Sequence, residues 1–99
     1  MKKLTSVLTD DMDNCYFTQS NVVERHHIFG GSNRDRSEKY GFVVPLRPDL
    51  HPNGAHAQWD AKMLAIDLCL KQLAQFYYEQ HFGDRKDFIR NFGKSYLLK

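Results

Sequence analysis

The first half of the chain sets short apolar runs between polar, glycine-marked breaks, and the second half turns to a helical repeat. Residues 1–14 are polar and acidic and read as a partly disordered lead. Cys15-Tyr16-Phe17-Thr18 reads as a short strand or a strand-to-turn junction, because Gln19-Ser20-Asn21 carries turn chemistry. Val22 to Ile28 predicts a strand with polar and apolar positions mixed. Gly30 to Gly41, dense in Gly, Ser, Asn and charge, predicts a loop. Phe42-Val43-Val44-Pro45-Leu46 predicts a second strand, at an edge or a strand end, since Pro45 brings no N–H to a ladder. Pro48 to Ala55 predicts another loop.

From Ala57 to His81 the period changes. Met63, Ile66, Leu70, Leu73 and Tyr77 recur at steps of three and four, which predicts a long helix with one apolar stripe. Leu64, Leu68 and Phe76 widen that stripe, and Gly83 supplies a stop. Asp84 then caps a last helix, Arg85 to Asn91, with Phe88, Ile89 and Phe92 facing inward and Gly93 as its stop. Strand, loop, strand, loop, helix, helix is the order of one α+β domain over residues 1–99. Two strands and a following helix can pinch a site between them.

Composition changes this picture little. Hydrophobic residues make up 41% of the chain and aromatic ones 13%, enough for a small core. No apolar stretch approaches the roughly 18 residues of a membrane span, and Met1 to Leu8 has no sustained apolar run. Neither a membrane partner nor a signal peptide is expected. Cys15 and Cys69 lack CxxC spacing, which predicts a reducing, cytoplasmic setting with no disulfide.

Charge matters through its placement. The net value is only +2, but Arg25, Arg34, Arg36, Lys39 and Arg47 face two acidic residues, Asp35 and Glu38, over one stretch. These five are candidate phosphate contacts, although a solvated loop would carry the same pattern. Asn33 and Ser37 could order the loop between the strands, or do ordinary turn work. Trp59 is expected to pack against the strands, and His81 ends the long helix, where its dipole favours a cation.

That basic stretch overlaps the histidines. Four of the five, His26, His27, His51 and His56, lie between positions 26 and 56. On a strand, adjacent side chains leave opposite faces, so His26 and His27 suit divided roles, one holding a metal and the other reaching a water. Imidazole is a natural general base near neutral pH. His51 and His56 can complete the ligand set from the loop and the helix start. Such a His-rich set favours Mn, Ni, Co or Zn over Mg, which prefers oxygen. Two plainer readings compete: four unrelated histidines, or a purely structural zinc held by His26, His51, His56 and Cys15.

Val23-Glu24-Arg25-His26-His27-Ile28-Phe29-Gly30-Gly31, then Phe42 to His51, then Gly54-Ala55-His56, resembles the HNH endonuclease motif and its ββα-metal fold over about residues 15–60. Asn33-Arg34, Ser37 to Gly41 and Phe92 to Leu97 add a likeness to small HNH-like proteins encoded by bacteriophages and prophages. The resemblance implies a ββα-metal core with a helical C-terminal extension from residue 61, in a bacterial host cell. It implies His26 as first metal ligand, His27 as the base that activates water, His51 as second ligand, and His56 as third ligand or phosphate contact. It also implies DNA as partner and products with a 5′-phosphate and a 3′-hydroxyl. A second copy or another phage protein are further candidate partners.

Two departures from the family pattern stand out. Many members carry an Asn that fixes the base-holding loop at a position occupied here by Phe42, or by Gly41 in a slipped register. The orientation of His27 must then come from elsewhere, for instance a backbone carbonyl. Many members also hold a structural zinc in two CxxC pairs; the matching positions here are Cys15 with Thr18 and Arg47 with Leu50, so no structural zinc is expected. The expected function is a metal-dependent DNA endonuclease or nickase. The alternatives are an HNH-like module that binds nucleic acid or a partner protein without cutting, and a subunit that cuts only within a larger phage assembly.

Overall fold

The valine-rich run Val43 to Leu46 suits a buried strand, and the mixed run Glu24 to His27 pairs with it. In the computed structural model, which describes residues 4–50 and 61–97, β1 (Glu24–His27) and β2 (Val43–Leu46) form a two-stranded antiparallel sheet. The register sets His26 opposite Val44 and His27 opposite Val43. Every residue of β2 is buried. Pro45 accepts at its carbonyl from the Tyr16 N–H at 2.8 Å, so the Cys15–Tyr16 segment lies along the outer edge of β2. That segment is a turn, with the Gln19 N–H donating to the Cys15 carbonyl.

The connection between the strands departs from expectation. Gly30 to Gly41 is not a loop but a 3-10 turn, Gly31–Asn33, leading into a helix, α1 (Arg34–Tyr40). Arg34 to Tyr40 contains neither Gly nor Pro, and Gly41 closes it in the left-handed region at φ 77°. The Phe42 N–H returns to the Ser37 carbonyl at 2.7 Å and the Gly41 N–H to that of Glu38, which satisfies the orphan carbonyls of the last turn. A Cβ on Gly41 would come within 2.9 Å of the Val7 side chain, so glycine is required there twice over. The lead is also tied down in part: the Val7 N–H donates to the Gly41 carbonyl, and Val7 and Leu8 pack on the core.

Two helices follow, α2 (Ala61–His81) and α3 (Arg85–Phe92). The inner face of α2 carries Met63, Leu70, Ala74, Gln75 and Tyr78. Leu64, Leu68, Leu73 and Phe76 point outward, contrary to the single wide stripe expected. The helix is apolar on more than one side, and the core that it shares with α3 and the ribbon covers only one of them. Gly83 is not left-handed; it is small because a Cβ there would lie 2.6 Å from an Asp87 carboxylate oxygen. Asp84 and Asp87 form a reciprocal capping box at the start of α3, and Phe88 and Phe92 go inward while Ile89 stays exposed. Gln75, fully buried, donates to Glu79 and Ser95 and accepts from the Tyr96 N–H, which ties the C-terminal segment to α2.

The result is a mixed α+β architecture whose core joins ribbon and helices. Phe29, two residues beyond His27, meets Phe92 at 4.4 Å between ring centroids and Phe88 at 5.6 Å. The helical segment thus supplies the floor on which the histidine strand rests. No helix among the described residues is long and apolar enough to cross a membrane.

Candidate active site

β1 delivers the histidine pair into the interior. His26 is 1% exposed and His27 9%. The Ile28 N–H closes the ribbon end on the Phe42 carbonyl at 2.9 Å. Beyond it, Ser37 clasps the chain: its Oγ accepts from the Phe29 N–H at 2.9 Å and donates to the Phe29 carbonyl at 2.8 Å. This fixes α1 against the residues that follow His27, and the next side chain is Glu38.

Glu38 Oε2 lies 2.9 Å from His27 Nε2. A carboxylate only accepts, so this contact places a ring proton on Nε2, and in the neutral ring Nδ1 is then the nitrogen with the lone pair. The ring is thus held from α1, not from the second-strand position where the resemblance expected an Asn. Phe42 is fully buried in the core and contributes no polar group, and Gly41 serves the end of α1. The backbone carbonyl expected in its stead is replaced by a side-chain carboxylate. In the sequence Glu38 reads only as a charge. The signal that could have found it is the Gly- and Pro-free run ended by Gly41, which frames a short helix.

The other candidates divide. His51, His56 and Trp59 lie outside the described residues. Among the described residues no group of three or more His, Cys, Asp or Glu could hold a metal. Of the catalytic-metal ligands proposed, His26 alone falls within the described residues. An imidazole buried on a rigid strand suits a transition-metal ligand by its chemistry. His81 stacks on Tyr77 at 4.1 Å in the last turn of α2.

The five basic residues do not form one patch. Arg34, Arg36 and Lys39 are exposed on α1, beside Glu38. Arg36 donates to the Asn33 side chain, and Lys39 sits over the Tyr40 ring. Arg25 and Arg47 belong to the other end of the ribbon, where Arg25 donates to the Met12 carbonyl and Arg47 pairs with Asp49. Those two are engaged within the chain.

Cys15, Thr18, Arg47 and Leu50, the positions that the resemblance sets against zinc-holding pairs, are neighbours. The Arg47 N–H donates to Cys15 Sγ at 3.4 Å, Cys15 and Leu50 share the core, and Thr18 and Leu50 line one apolar recess. Burial pushes the Cys15 thiol up, but hydrogen bonds from the Thr18 side chain and the Arg47 N–H outweigh it, and the net shift is downward. Cys15 and Cys69 are both free.

No protein-family model, curated protein or solved structure matches the chain. The likeness to HNH proteins therefore rests on the sequence motif alone.

Proposed function

We propose that the chain is a metal-dependent HNH-type endonuclease or nickase that hydrolyses DNA phosphodiester bonds with His27 as general base. The observation that carries this reading is the held imidazole: Glu38 engages Nε2 of a nearly buried His27 at 2.9 Å, on the strand next to His26. A base needs one nitrogen held so that the other can be aimed at its proton, and the Glu38 contact supplies the hold. The meeting of Cys15, Thr18, Arg47 and Leu50 supports the same fold register.

In this reading β1, β2 and the start of the helical region form a ββα-metal core, with α2 and α3 as its extension. His27 Nδ1 takes the proton of the attacking water. His26, with His51 and His56, would hold one divalent ion of the transition series. When bound, that ion supplies Lewis-acid stabilisation of the charge on the scissile phosphate. Arg34, Arg36 and Lys39 hold the DNA backbone, with Arg25 and Arg47 in support once released from Met12 and Asp49. Phosphate contacts of this kind position the strand without reading sequence.

Phe42 in place of the family's Asn favours a second reading, an HNH-like module that binds nucleic acid or a partner protein without cutting it. The two separate on an end-labelled DNA duplex incubated with Mn, Ni, Co, Zn or Mg in turn. The nuclease reading expects metal-dependent fragments ending in 5′-phosphate and 3′-hydroxyl. Retention of intact DNA on the protein, with no fragments in any metal, would leave the binding module.

A further inference from the structure

The residue that orients His27 lies on an element the motif does not include. α1 is fixed at both ends of its last turn. Ser37 is clamped to both backbone polar groups of Phe29, and Gly41 and Phe42 close the helix back on Glu38 and Ser37. Glu38 stands between these anchors. Its side chain is 25% exposed and that of His27 8%, so the contact is shielded on the histidine side and reached by water on the other. Arg36 and Lys39 are neighbours on α1, but Arg36 is turned to Asn33 and Lys39 to the Tyr40 ring. The Glu38 carboxylate is left to the imidazole.

We propose that Glu38 is the positioning residue for His27: by accepting the Nε2 proton it locks the ring's rotamer and tautomer, so that Nδ1 faces the reacting water. This rests on the nuclease reading for its consequence, though not for its geometry. Glu38 touches neither substrate nor metal in this account and acts through His27 alone. It replaces the missing Asn by a different route, from the helix between the strands rather than from the second strand. Carboxylates that orient metal-bound histidines are worth about 10- to 100-fold in activity when lost, and a loss of the same order is expected for this oriented base.

Two readouts test it on the full chain. Nitrogen-15 histidine labelling, with His27 assigned by its disappearance in His27→Ala, shows where the ring proton sits. The wild type should give a downfield, slowly exchanging Nε2–H for His27, lost in Glu38→Ala. Glu38→Gln keeps the shape and guards against a misfolded alanine variant. Its amide can donate as well as accept, so it should weaken the same signal. A proton on Nδ1 in the wild type, or an Nε2–H signal unchanged in both variants, would overturn the proposal.

The second readout is DNA cleavage. Glu38→Ala should lower kcat about 10- to 100-fold at unchanged KM and metal affinity, and should cost nothing further when added to His27→Ala. A loss confined to KM, or an additive loss on the His27→Ala background, would also overturn it. If the wild type cuts no DNA in any metal, the nuclease reading fails while the ring-proton signal still decides whether Glu38 holds His27.

Discussion

Ser37 shows how much of this site hangs on a small side chain. Its hydroxyl satisfies both backbone groups of Phe29, itself 2% exposed, and sets the position of Glu38. Ser37→Ala leaves a buried N–H and C=O unmet, which costs about 1–3 kcal/mol. Urea unfolding should show that loss, whereas Ser32→Ala, at an exposed position one turn earlier, should stay within about 0.5 kcal/mol of wild type. Equal midpoints for the two variants would remove Ser37 from the account. At this scale the histidines were legible in the sequence, because adjacent imidazoles on a strand are uncommon and suit chemistry. Glu38 was not, because a carboxylate among five basic residues reads as solvated charge until a helix gives it a direction.

Whole elements differ in how plainly the chain announces them, for physical reasons. The α3 boundaries followed from Asp84 and Gly93, whose capping roles are local. The hidden α1 lacks an apolar stripe, burying only Ser37, so periodicity gave no sign of it. Within α2, apolar residues lie on both sides, and only packing against α3 and the rest of the core decides which side is inner. Leu70→Ala, at a fully buried position, should cost about 2–5 kcal/mol. Leu68→Ala, 46% exposed and two residues away, should cost well under half of that. Chemical denaturation of the two variants checks the facing of the helix, and reversed costs would contradict it.

The joint between α2 and α3 also carries a pH signature. Asp84 is held below its ordinary 3.8, first by the Asp87 backbone N–H. Burial pushes Glu79 up, but the Gln75 hydrogen bond and the Arg85 guanidinium at 3.1 Å outweigh it and leave the carboxyl below 4.5. A carboxyl depressed in the folded state stabilises above its unfolded value, and that contribution is lost as pH falls through the folded value. Thermal melts should therefore be level down to about pH 5 and decline below it. The Asp84→Asn, Glu79→Gln double variant, which keeps the cap and the shape, should decline less steeply. A double variant that tracks the wild type at every pH would contradict this.

Across the whole molecule, the two-stranded ribbon is too small to bury itself and depends on the helical half. Phe29, Phe42, Tyr78, Phe88 and Phe92 form one aromatic core beneath the histidine strand. The α+β class was legible from the order of runs and repeats, while the contact between Phe29 and α3 spans too much sequence for a local pattern to reveal. The most direct test of the central claim is a supercoiled plasmid assay with wild type and His27→Ala, run in Mn, Mg, Ni, Co and Zn. The account predicts metal-dependent nicking that falls by about 100-fold or more in the variant, with its circular dichroism and metal binding retained. Equal nicking by the two proteins, or none by the wild type in any metal, would contradict it.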